Sequence, residues 1–99
     1  MKVIYGTGKT RKYFKNPVVT IGVFDGLHMG HQKLIRAAVR KAKRINGTAI
    51  VMTFAPHPVQ VLHPNKYLPF IVSLAQRVEL FERLGVHACI VIRFTKRFS

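Results

Sequence analysis

The sequence predicts an α/β fold, a parallel sheet with helices packed on it. Three observations carry this. Apolar, β-branched runs recur at 18–24, 48–54 and 88–92 with little polar alternation, as strands covered on both faces require. Two stretches of helical period separate them. Strand, helix, strand in that order makes a βαβ unit, parallel and right-handed as a rule.

Taken in order, the chain opens with Val3-Ile4-Tyr5, a short edge strand. Gly6-Thr7-Gly8-Lys9-Thr10-Arg11 follows. A phosphate-binding P-loop needs glycine five residues before Gly8, where Val3 stands, and a helix after it, where Asn16-Pro17 interrupts. It reads as a basic loop. After the first buried strand, 18–24, residues 32–45 read as a helix with Leu34, Ile35, Ala38, Ala42 and Ile45 as its apolar stripe. Asn46-Gly47 is its stop. The second strand, 48–54, leads into 55–70, where Pro56, Pro58, Pro64 and Pro69 exclude regular structure apart from a helical turn at 59–62. Ser73-x-x-Gln76 is a capping box that starts the next helix. Leu74, Val78, Phe81 and Leu84 form its buried stripe, and Gly85 ends it. Residues 88–92 are the third buried strand.

Composition narrows the class. Ninety-nine residues make one small domain, and a hydrophobic share of 48% excludes a disordered basic tail. There is no apolar run of transmembrane length and no signal-peptide pattern at Met1–Gly6, so a cytoplasmic location without membrane association is expected. The single cysteine, Cys89, falls in an apolar strand and reads as a small buried hydrophobe. Seventeen Lys and Arg against three acids give a formal charge of +14, which favours anionic partners without choosing among them. Lys33, Arg36, Arg40, Lys41, Lys43 and Arg44 put much of that charge on the first helix. Little aromatic residue is interleaved there, so it reads as a solvated face and not as a specific nucleic-acid site.

The chemistry gathers around Gly22-Val23-Phe24-Asp25-Gly26-Leu27-His28-Met29-Gly30-His31, between the first strand and the first helix. A helix N-terminus offers free N–H donors and partial positive charge to a phosphate. Gly26 and Gly30 allow close ligand approach, and imidazoles donate hydrogen bonds to phosphoryl oxygens. Ligands of open parallel sheets bind beyond the carboxyl ends of the strands. That edge receives this turn, the segment after Phe54 and the end of the third strand near Arg93 together. Zinc is not expected, since no third ligand accompanies the two histidines. Asp25 either orients the turn or touches ligand. His63 and His87 read as structural or solvent-facing.

Gly22-x-Phe24-Asp25-Gly26-x-His28-x-Gly30-His31 resembles the HxGH signature of the nucleotidyltransferase superfamily. Thr53-Phe54-Ala55-Pro56-His57-Pro58 narrows the likeness to the FMN adenylyltransferase module of bacterial FAD synthetases. The resemblance covers about 18–99. It implies a Rossmann-like sheet and transfer of AMP from ATP to FMN, with Mg²⁺, giving FAD and pyrophosphate. It implies His28 and His31 as catalytic residues. Gly22, Phe24, Asp25, Gly30, Phe54, Pro56, His57 and Pro58 would bind the substrates, with no protein-held metal. Without the resemblance, His57 between two prolines is a rigid surface loop.

Some positions depart from the family pattern: Val23 for a frequent Asn, Ala55 for a frequent acid and His87 for a common Asp. A later Arg-bearing motif that grips the ATP phosphates is not found, nor is the riboflavin kinase module of longer relatives. The expectation is therefore the N-terminal part of the module, over 1–99, with an incomplete fold and a sheet edge left unpaired. Alternatives are another HxGH nucleotidyltransferase, such as a cytidylyltransferase, or a basic nucleic-acid-binding module.

Overall fold

The computed structural model describes residues 1–6, 14–24, 29–56, 61–63, 65 and 72–95. The elements run β1 (Lys2–Tyr5), β2 (Pro17–Ile21), α1 (Met29–Arg44), β3 (Thr48–Ala55), α2 (Leu74–Arg83) and β4 (Ala88–Arg93). The four strands form one sheet in the order β1-β4-β3-β2, and every pairing is parallel. The expected α/β architecture is present. Val61 and Leu62 are helical within the proline-rich segment.

Alternation along β3 and β4 divides the core. Val51, Cys89 and Val91 point to the side where α1 contributes Ile35 and Val39 and α2 contributes Phe81, Leu74 and Val78. Ile50, Met52, Ala88 and Ile90 line the opposite face with Ile4, Phe14, Val19 and Ile92. Both faces of the central strands are buried, which is why their sequences show no polar alternation.

Both helices end in Schellman caps. After α1, the Gly47 N–H reaches the Ala42 carbonyl and the Asn46 N–H that of Lys43, with Asn46 itself left-handed (φ 55°). After α2, the Val86 N–H donates to Phe81 and the Gly85 N–H to Glu82, with Gly85 at φ 91°. The capping box at α2 is formed in both directions between Ser73 and Gln76.

Four expectations need correction. The strand predicted over 18–24 stops at Ile21, and Phe24 beyond it turns left-handed (φ 54°) as the chain leaves the sheet. That strand is also not buried. β2 pairs only with β3 among the described residues, so Ile21 is 57% exposed and only Thr20 is buried. The first helix begins at Met29 and not at 32. Its core stripe is Ile35, Val39 and Ala42, while Leu34 and Ile45 are exposed. At about 100° per residue, 34 and 45 fall roughly 80–100° to one side of Ile35.

Candidate active site

The carboxyl ends of β2 and β3 and the first turn of α1 form the candidate site. The β2–β3 ladder closes with the Gly22 N–H on the Met52 carbonyl (3.0 Å). Beyond this rung the backbone turns through Val23 and Phe24. Phe24 is buried, and its ring stands edge-on to Phe81 (centroids 5.5 Å, 78°) and to His31 (5.5 Å, 83°). The aromatic core thus extends from α2 through Phe24 to the imidazole in α1. Gly22 gives the Phe24 ring its room. A Cβ there would stand 3.0 Å from the tip of the Phe24 ring, closer than ordinary packing allows.

Gly30 and His31 lie in the first turn of α1, at the end of the helix that carries partial positive charge. A Cβ on Gly30 would meet nothing within 4 Å. Nothing in the described fold demands glycine at 30, and the open space beside His31 leaves the helix end approachable. His28 and Asp25 lie outside the described residues, as do His57 and Pro58.

Phe54 and Pro56 stand at the end of β3. Phe54 is half-buried and edge-on to Phe94 (6.0 Å, 87°), whose N–H donates to the Ala55 carbonyl (3.2 Å). The Ala55–Pro56 peptide is cis. Beside it a mainly apolar cavity of about 550 Å³ opens at the ends of β1, β3 and β4, lined by Tyr5, Gly6, Ala55, Pro56, Val91 and Arg93. A second depression, about 580 Å³, lies along α1 between Ala37, Arg40, Lys43 and Arg44. It is a groove in the basic surface, away from the strand ends.

Sequence reasoning missed Arg77. It sits on the apolar stripe of α2, between Leu74 and Phe81, and is only 3% exposed. Its Nη1 donates to the Val23 carbonyl (2.8 Å), the Thr53 hydroxyl (2.8 Å) and the Phe54 carbonyl (3.1 Å). The Thr53 hydroxyl in turn donates to Val23 (3.0 Å). A charged residue three after one core position and four before another was the available signal. Cys89 feels this charge, which pulls its thiol pKa down, but burial is the larger cause and pushes it up to about 11. His87 is structural, its Nδ1 accepting from the Ala49 N–H (2.9 Å), while His63 is exposed.

Among the described residues no three His, Cys, Asp or Glu side chains converge as metal ligands, and no helix is long and apolar enough to cross a membrane.

A family model described as FAD synthetase matches residues 10–99. The bifunctional riboflavin kinase/FMN adenylyltransferase of Listeria monocytogenes is 39% identical over 85 residues, covering 85% of this chain and 27% of that protein. The protein of the same name from Buchnera aphidicola subspecies Acyrthosiphon pisum is 31% identical over all 99 residues, 32% of its own length. The chain therefore spans about a third or less of these curated relatives. A solved structure of a macrolide-efflux protein from Streptococcus pneumoniae superposes with a TM-score of 0.73 at 29% identity, covering 99% of this chain and 39% of that one.

Proposed function

We propose, since the chain belongs to the FAD synthetase family, that it takes part in transferring AMP from ATP to FMN. An FMN phosphate oxygen would attack the α-phosphorus of ATP. The bond from that phosphorus to the bridging oxygen would break, and pyrophosphate would leave.

The observation that carries this reading is the open N-terminal turn of α1. Gly30 has free space where a side chain would be, and His31 is held beside it by Phe24. Backbone N–H groups and the positive end of the helix would meet the phosphates there. His31, with His28, would donate to phosphoryl oxygens as charge spreads over them. Such chemistry asks the protein mainly for positioning and charge stabilisation. The apolar cavity beside Pro56 is of the size and character of a small-molecule site. It would take the flavin ring, with Phe54 and Pro56 on that side and Gly22 and Phe24 shaping the phosphate side; for His57, Pro58 and Asp25 a substrate-binding role follows from the family motif alone.

Mg²⁺ would come with the ATP phosphates, whose oxygens suit a hard cation that needs few protein ligands. A riboflavin kinase module in a longer chain would supply the FMN, as the names of the bifunctional relatives suggest. A cytoplasmic setting suits both substrates.

The test is chromatographic detection of FAD and pyrophosphate from ATP, FMN and Mg²⁺. Equal amounts of the two products are expected, at a rate well below that of a longer chain carrying the Arg-bearing motif. Turnover of CTP, or of ATP with an acceptor other than FMN in preference to it, would overturn the reading.

A further inference from the structure

Arg77 costs the fold something. A buried cation loses its hydration, and an apolar residue there would complete the stripe of Leu74, Val78 and Phe81 without that penalty. What the guanidinium adds is a link. The last rung between β2 and β3 is Gly22 to Met52, and past it the two strands part: the chain of β2 leaves the sheet, while β3 continues beside β4 as far as Ala55. Val23 leads to the left-handed Phe24 on the way to α1, and Phe54 leads into Ala55-Pro56. One nitrogen of Arg77 holds both carbonyls, with the Thr53 hydroxyl as the third point of the clamp.

We infer that Arg77 is a positioning residue that couples the two halves of the site, so that phosphates bound at the first turn of α1 favour flavin bound beside Pro56. The inference rests on the proposed function for its ligands but not for the clamp. A ligand that draws the Val23–Phe24 turn into one arrangement fixes the nitrogen that also holds Phe54. Because binding couplings are reciprocal, ATP tightens FMN by the same factor that FMN tightens ATP.

The experiment has two arms on the whole chain. In the first, FMN is titrated by fluorescence quenching with and without a non-hydrolysable ATP analogue. The unmodified protein should bind FMN at least about fivefold tighter with the analogue present, the lower end of typical couplings. Arg77→Met should cut that factor below about two while moving each single-ligand affinity far less. Arg77→Lys should keep most of it, because an ammonium carries three hydrogens for the same three acceptors. In the second arm, amide hydrogen exchange is followed without ligand. Residues 22–24 and 54–55 should speed up together in Arg77→Met, with α2 and β4 unchanged. Thr53→Val should act in the same direction and more weakly, and it carries the test if the methionine variant does not fold. Unchanged coupling in folded Arg77→Met, or faster exchange spread through α2 and β4, overturns the inference. Unmodified protein that binds neither ligand overturns the functional reading alone, and exchange then decides the clamp.

Discussion

Replacing Phe24 by Leu tests whether the core reaches the site through an aromatic chain. Both residues lack glycine's freedom, so the left-handed backbone at 24 contributes little to the difference. Leucine keeps most of the apolar burial, and a near volume-conserving exchange costs below about 1.5 kcal/mol. What it removes is two edge-on ring contacts, to Phe81 and to His31, each at 5.5 Å. Such pairs are worth about 0.5–1.5 kcal/mol beyond burial. The Phe81 contact should dominate, because Phe81 is fully buried and His31 is only half-buried. A net loss of about 1–3 kcal/mol follows, within the roughly 5–15 kcal/mol of a domain this size. At about 4–8 °C per kcal/mol, the melting temperature should fall by roughly 4–24 °C. The decisive assay is a double-mutant cycle with His31→Ala, read by urea unfolding. If Phe24 holds the imidazole, the two losses should fall short of additivity by about 0.5 kcal/mol or more. Strict additivity, with Phe24→Leu still destabilised, would show that the ring serves the core alone and does not place His31.

Other expectations follow from the same geometry. His31→Ala and His28→Ala, measured in a longer active chain, should each slow turnover by about a hundredfold or more, the usual loss for one charge-stabilising donor, without unfolding the domain; steady-state rates within twofold of the unmodified protein would remove them from the chemistry. Changing Arg40, Lys43 and Arg44 to Gln should weaken non-specific DNA binding at low salt and leave ATP and FMN affinities nearly unchanged, and sequence-selective DNA binding that survives physiological salt would contradict this. Cys89, its thiol raised to about 11 by burial, should resist thiol reagents at pH 8 until the protein unfolds. Because the native pKa lies above the unfolded one, the stability it contributes is intact below about 9 and is lost as pH rises through 11; fast stoichiometric labelling in native buffer would refute the burial argument.

The fold was largely legible because its signals are local and agree. Serine and glutamine at the right spacing made the α2 cap, and uninterrupted apolar runs marked strands covered on both faces. What escaped depends on the neighbours a strand has. The run before Gly22 looks as apolar as β3, yet β2 stands at a sheet edge and only Thr20 is buried. Strand order is a tertiary fact, and composition along one strand does not contain it. For the candidate site, the placement of three residues at a strand end and a helix start was legible, and their roles are a proposal. Gly30 and His31 follow from the spacing of the turn, and Gly22 follows from it less directly, since its reason is the returning Phe24 ring. Arg77 escaped because a cation on an apolar stripe resembles a helix-surface charge until its three acceptors are known.

The central claim is that ligands bind at the strand ends and not where positive charge is densest. Both cavities are of similar size, about 550 and 580 Å³, so volume does not choose between them. The direct measurement is a map of backbone amide shifts in a ¹H–¹⁵N spectrum, first with the ATP analogue and then with FMN added. The account predicts that the analogue moves Gly30, His31 and Gln32, and that FMN moves Tyr5, Gly6, Ala55 and Arg93. Shifts gathered on Ala37, Arg40, Lys43 and Arg44, with the strand ends silent, would contradict it.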